Sequence, residues 1–120
     1  MSHFPALLRN LPKFAGPFDA FKLDAAGCDV LFASYPGGTT IAPHHHETEN
    51  IGVITEGELI LTVGGNETRY GPGRWYHVPA RTIHAARFER PTSEIEFWFH
   101  RDAIMQTASS GGTESSEVRR

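Results

Sequence analysis

Short apolar or alternating segments, each bounded by turn residues, restrict the possible folds of this chain more than any other feature of its sequence. The segments are FDAFKL (18–23), CDVLFASY (28–35), NIGVITEG (50–57), ELILTV (58–63), ETRYG (67–71), RWYHVP (74–79), HAARFE (84–89) and SEIEFWFH (93–100). Their length and alternation are typical of β-strands, and the intervening PGG, GGN and GPG are typical of tight turns. The pattern predicts an all-β protein, an antiparallel sandwich or barrel.

The two ends of the chain differ in composition from this central region. Residues 1–16 carry scattered apolar side chains between prolines, which predicts an irregular or partly helical arm that packs on the body or on a second subunit. The barrel is expected to occupy residues 17–106, with one short helix in RDAIMQTA. Residues 107–120 are small and polar, so burial cannot offset the entropy of ordering them, and we expect a disordered tail.

Length, charge and cysteine content narrow the class of protein. The chain has 120 residues, about the size of one domain, and its 11 basic and 14 acidic side chains are mixed, so we expect no nucleic-acid partner. No apolar run near the start is long enough for a signal peptide or a membrane span, and we expect a cytoplasmic protein. Cys28 is the only cysteine, so any metal must be held by histidine, carboxylate or amide groups.

The segment APHHHETEN, residues 42–50, contains three consecutive histidines. Side chains two apart on a strand point to the same side, so His44 and His46 share a face and His45 points away from it. Asn50 joins them if the intervening residues let the chain curve. The best candidate for a further ligand is His84, which starts a later strand after a proline-marked turn.

Two spaced motifs in this region resemble those of the cupin superfamily. The first motif of that family runs glycine, five residues, His-x-His, three or four residues, glutamate, six residues, glycine; the second runs glycine, five residues, Pro-x-Gly, two residues, histidine, three residues, asparagine. The residues that match the first motif are Gly38, His44, His46 and Gly57. The residues that match the second are Gly73, Pro79 and His84. The resemblance extends from Gly38 to Phe88, and flanking strands carry it to about residues 17 to 100.

The chain departs from these motifs at three positions. Asn50 stands where the family has glutamate, which leaves three imidazoles and at best one amide oxygen for a metal; alternatively, a bulge turns Glu49 inward to supply a carboxylate. Arg81 replaces the second glycine of the second motif and places a left-handed backbone in doubt there, because residues other than glycine rarely adopt positive φ. Phe88 stands at the asparagine of that motif.

The resemblance implies a double-stranded β-helix, or jelly-roll barrel, and a divalent transition metal held by His44, His46, His84 and Asn50. Imidazole suits Fe, Mn, Ni, Zn or Cu, and three such ligands leave positions for water or substrate. The family includes metal-dependent enzymes of dioxygenase, isomerase and decarboxylase type that act on small organic molecules. It also includes non-catalytic ligand-binding or sensing modules, and a metal-free structural cupin is a third alternative. Small cupins commonly pair, and a homodimer is expected.

Further residues are candidates for contact with a ligand inside such a barrel. Glu96 is the first candidate for a general base and His77 the second. The candidates for substrate binding are Tyr35, Tyr76, Trp98 and Arg87. In EIEFWF, alternation places Ile95, Phe97 and Phe99 on one face, which we expect to be core.

Overall fold

Nine strands and one short helix form in residues 4–100, the part of the chain that the computed structural model describes. The helix α1 spans Ala6–Arg9. The strands are β1 (Asp19–Ala25), β2 (Cys28–Tyr35), β3 (Thr39–His44), β4 (Glu49–Glu56), β5 (Leu59–Val63), β6 (Asn66–Tyr70), β7 (Trp75–Val78), β8 (His84–Phe88) and β9 (Thr92–Phe99). Each of the eight predicted segments forms a strand. The strand β3 is not among them, because its sequence TTIAPH combines weak alternation with a proline.

The strands form two antiparallel sheets that pack on each other. One sheet has the order β1-β2-β9-β4-β7 and the other the order β3-β8-β5-β6. Side chains from both sheets meet in one core cluster, in which Leu31 and Ile54 of the first sheet pack with Leu61 and Phe88 of the second. The predicted all-β jelly-roll architecture is therefore confirmed.

The two faces of the five-stranded sheet have different neighbours. On β9, Ile95, Phe97 and Phe99 pack in a cluster with Cys28 on the outer face, as expected of an apolar core face. The same cluster contains Val30, Phe32 and Phe21 of the sheet. From the N-terminal segment, Phe4, Leu8 and Leu11 pack in it as well. The N-terminal segment therefore packs on the outer face of this sheet.

The same N-terminal segment then follows the edge of the sheet. Its backbone pairs with β1, where Lys22 N–H donates to Pro12 O at 2.8 Å and Phe14 N–H donates to Ala20 O at 2.9 Å. Phe14 packs on the inner core cluster, whereas Leu8 packs on the outer one. The segment thus contacts both faces of the sheet.

Gly52 on β4 makes room for a side chain of the neighbouring strand. Its register partner on β7 is Tyr76, and a Cβ added to Gly52 would lie 2.4 Å from that ring. The absence of a side chain at position 52 lets the Tyr76 ring lie over β4.

Arg81, in the turn between β7 and β8, adopts a left-handed backbone with φ of 62°. The replacement of glycine therefore does not remove this conformation. Hydrogen bonds hold it: Arg81 N–H donates to His46 O at 2.7 Å, and Ala80 N–H donates to the Glu49 carboxylate at 3.0 Å. They tie the turn before β8 to the chain that follows β3.

The predicted helix in RDAIMQTA and the predicted disordered tail lie outside the described residues. Within residues 4–100, no helix has the length and apolarity that crossing a bilayer would require.

The left-handed backbone at Arg81 leads to a prediction about the free energy of unfolding. A left-handed conformation costs a residue with a Cβ about 1 kcal/mol that glycine avoids. Within residues 4–100 the Arg81 side chain forms an exposed ion pair with Glu47 at 3.5 Å, which contributes little. We expect Arg81→Gly to raise the free energy of unfolding by about 1 kcal/mol relative to Arg81→Ala. Denaturant unfolding of both variants measures the difference, and equal stabilities would show that the turn is unstrained.

Candidate metal centre and cavity

Three histidines from two chain segments meet at one end of the barrel. His44 ends β3 and His84 begins β8, and the two are register partners in the antiparallel ladder, with ring centroids 4.2 Å apart. His46 follows on the same side, and its ring centroid lies 4.7 Å from that of His44. One nitrogen from each ring lies within 4.8 Å of the others. His45 is exposed and lies 3.9 Å from Glu47, as its opposite parity predicts.

Backbone carbonyls orient two of the rings. His44 Nδ1 donates to Ala42 O at 2.8 Å, and His84 Nδ1 donates to Thr82 O at 2.9 Å. A neutral imidazole carries one N–H, so Nε2 of each ring retains its lone pair. Such second-layer hydrogen bonds commonly orient metal-binding histidines.

The surroundings favour the neutral form of His46 and His84. Burial, followed by the neighbouring His44, His84 and His45, lowers the pKa of His46 to about 4. Burial also lowers the pKa of His84, and this outweighs the hydrogen bond to Thr82 O. Neutral imidazole is the form that binds metals.

The chemistry of the three imidazoles, and the spacing of two of them, suit a divalent transition metal. Two nitrogens that each lie about 2.1 Å from one ion are about 3.0 Å apart at a right angle and about 3.4 Å apart at a tetrahedral angle. The Nε2 atoms of His44 and His46 are 3.0 Å apart. The donor set suits Fe, Mn, Ni, Zn or Cu, and three protein ligands leave positions free on the cavity side.

Asn50 and Glu49 lie on opposite faces of β4. Asn50 is buried, lines the same cavity as the three histidines, and its Oδ1 accepts a hydrogen bond from Thr48 Oγ1 at 2.6 Å. The Glu49 carboxylate contacts His77 Nε2 at 2.7 Å and accepts from Ala80 N–H. The alternative that Glu49 turns inward is wrong, because the ladder keeps regular alternation at this position.

A cavity of about 750 Å³ extends from the histidines into the barrel. Tyr35, Tyr76 and Trp98, three of the predicted ligand contacts, line it. Phe14, Phe18 and Phe88 complete its aromatic wall. The first comes from the N-terminal segment and the second from the residue before β1. The sequence offers no signal that they reach the cavity, because neither belongs to the two cupin motifs.

Two buried glutamates on β9 also line this cavity. Tyr35 O–H donates to Glu96 at 2.6 Å, Trp98 Nε1–H donates to Glu96 at 2.9 Å, and Tyr76 O–H donates to Glu94. Burial raises the pKa of both carboxyls, and the nearby Glu96 raises that of Glu94 further. The interaction between the two carboxyls raises the pKa of Glu94 and lowers that of Glu96. Glu94 is absent from the predicted set, although alternation places it on the same face as Glu96 and Trp98.

His77 and Arg87, predicted as a catalytic and a substrate-binding residue, are not among the residues that line this cavity. His77 lies between Tyr76 and Val78, which face inward, so its ring points to the outer face and contacts Glu49. Arg87 lies between the inward Ala86 and Phe88. Its guanidinium pairs with Glu67 and Glu89.

Comparisons with known proteins agree with this architecture. Residues 31–98 match the family described as Cupin domain. The chain is 36% identical over 62 residues to quercetin 2,3-dioxygenase of Bacillus subtilis (strain 168), a match that covers 50% of this chain and 18% of that protein. The chain therefore spans less than two thirds of that relative's length.

Solved structures show the same fold at low sequence identity. An RmlC-like cupin from Shewanella frigidimarina NCIMB 400 has a TM-score of 0.68 at 18% identity, over 82% of this chain and 91% of the other. A cupin superfamily protein from Desulfitobacterium hafniense DCB-2 has a TM-score of 0.66 at 16% identity, over 83% and 94%. KdgF from Halomonas sp. has a TM-score of 0.63 at 21% identity, over 77% and 90%. With a family match over more than half of its length and the fold of these structures, the chain belongs to the cupin family.

Proposed function

We propose that this protein is a small metal-dependent enzyme that acts on a small organic molecule in its barrel, with dioxygenase, isomerase or decarboxylase chemistry. One observation carries the proposal: His44, His46 and His84 converge at the end of a cavity of about 750 Å³. This volume is in the range of small-molecule sites. A metal ligand set that opens into such a cavity is typical of catalytic rather than structural sites.

The three imidazoles would hold the metal, with Asn50 beside them on the cavity side. When bound, the metal would supply Lewis-acid or redox chemistry to the oxygen atoms of the ligand. The similarity to quercetin 2,3-dioxygenase supports dioxygen chemistry, over a match of 62 residues.

The remaining lining residues bind, orient and exchange protons with the ligand. The stacked pair of Tyr35 and Phe88, with centroids 4.1 Å apart, forms part of an aromatic wall that orients a planar molecule and excludes water. Glu96 is the proposed proton acceptor, because it is buried, faces the cavity and lies beside Glu94, which favours the ionised form of Glu96. A carboxyl with a raised pKa is suited to general acid–base catalysis near neutral pH.

A second candidate function is reversible ligand binding without catalysis, as in a sensing module. The neutral amide of Asn50 favours this alternative, because a site without an anionic ligand retains a dication less strongly. Turnover distinguishes the two functions.

The proposed assembly is a cytoplasmic homodimer. Strand β7 lies at an edge of its sheet, and Trp75 on this strand is 57% exposed on the outer face. An exposed tryptophan beside a sheet edge is a common feature of subunit contacts.

The first prediction concerns metal binding. We expect the double variant His44→Ala and His84→Ala to lose the metal that the wild-type protein retains after purification without an affinity tag, because two of three imidazole donors are removed. Elemental analysis measures metal per chain, and circular dichroism tests that the barrel remains folded. His45→Ala is the matched control and should retain the metal, since that ring is exposed. Stoichiometric metal in a folded double variant would refute the assignment.

The second prediction concerns catalysis. Oxygen uptake with a panel of catechols and β-diketones should reveal turnover by the metal-loaded protein. We expect Glu96→Gln to lower the turnover rate about 100-fold with unchanged metal content, because the amide cannot accept the proton. His77→Gln on the outer face should leave the rate unchanged. Ligand binding without turnover on any member of the panel would support the sensing alternative instead.

A further inference from the structure

The cavity has two chemically different ends. Trp98 is the register partner of Asn50, and its ring centroid lies 4.7 Å from that of His46, so it marks the imidazole end. Glu96 and Glu94 are two and four residues away on β9, which corresponds to about 7 and 14 Å along a strand. A ligand held at the imidazole end therefore extends toward the carboxyl pair.

The carboxyl end offers no partner for an anion. The residues that line the cavity, all within the described part of the chain, include two glutamates and neither lysine nor arginine. The hydrogen-bond donors that contact the pair are already engaged, because Tyr35 and Trp98 donate to Glu96 and Tyr76 donates to Glu94. An anionic group placed here would lose its hydration without gaining a donor or a cation.

The carboxyl oxygens instead remain hydrogen-bond acceptors for a ligand, since a carboxylate has about four lone-pair sites. The walls beside them are aromatic: Tyr35 stacks on Phe88, and Phe18 lies with its ring centroid 5.3 Å from that of Tyr35. Planar apolar groups that carry an O–H or N–H donor complement this surface.

We propose that the cavity selects aromatic ligands whose far end, against Glu94 and Glu96, is an uncharged hydrogen-bond donor, and that it rejects a carboxylate, sulfonate or phosphate at that end. This inference rests on the proposed function in taking the cavity as the ligand site. It does not depend on which reaction follows.

The test compares two ligands of equal shape, 3,4-dihydroxybenzamide and 3,4-dihydroxybenzoate. Both carry a catechol for the imidazole end, and they differ at the far end in charge and in the N–H donors of the amide. In the full-length variant Trp75→Phe, Trp98 is the only tryptophan, so its fluorescence reports binding at the cavity wall. Titrations are made under argon with the protein as purified and again after chelation.

We expect the amide to bind at least about tenfold more tightly than the carboxylate in both preparations, because the carboxylate loses its hydration without gaining a cation or a donor at this end, whereas the amide N–H groups can donate to the carboxyl oxygens. Glu94→Gln and Glu96→Gln, made singly and together in the Trp75→Phe background, should bring the ratio toward one. The change of ratio in any folded variant tests the role of the pair.

Three results would overturn the inference: equal or tighter binding of the carboxylate in either preparation, no binding of either compound, or a ratio that the glutamine variants leave unchanged. A protein without metal or turnover that still prefers the amide would refute the proposed enzyme and support the inference. The two failures are therefore distinguishable.

Discussion

The antiparallel pairing of β3 with β8 is the interaction on which the rest of the site depends. It makes His44 the register partner of His84, although forty residues separate them in the chain. A slip of this ladder by one residue would point one imidazole outward, since side chains alternate between faces. The hydrogen bond from Arg81 N–H to His46 O fixes the turn before β8 against the chain after β3. The backbone pairing therefore brings the three imidazole rings together without any contribution from a bound metal or ligand.

A second constraint is the alternation along β9, which divides its side chains between two environments. Ile95, Phe97 and Phe99 pack in the apolar outer cluster. Because side chains alternate along the strand, Glu94 and Glu96 then point to the opposite face, into the cavity. Isolated buried carboxylates are strongly disfavoured. Here two tyrosines and one tryptophan donate hydrogen bonds to them. Buried ionisable groups with shifted pKa values are often found at functional sites.

Alternation and motif spacing predict eight of the nine strands and much of the site from sequence. The positions of His44, His46 and His84 follow from parity, from the position of His84 after a turn, and from the cupin motifs. The same parity leaves the inward face of β7 undecided, so His77 is indistinguishable from Tyr76 until the pairing with β4 is known. Arg87 and Glu94 depend likewise on which side of their strands is interior. Phe14 reaches the cavity through tertiary packing of an irregular segment, which no periodicity describes.

The N-terminal segment has a consequence for how the cavity responds to its contents. Leu8 packs on the outer side of the five-stranded sheet, Pro12 bonds to its edge, and Phe14 forms part of the inner wall. A ligand that contacts Phe14 would therefore stabilise the packing of the whole N-terminal segment. Because coupling between two binding events is reciprocal, weaker packing of the N-terminal segment on the outer face would also weaken ligand binding in the cavity. Ligand binding and attachment of the N-terminal segment are therefore thermodynamically coupled.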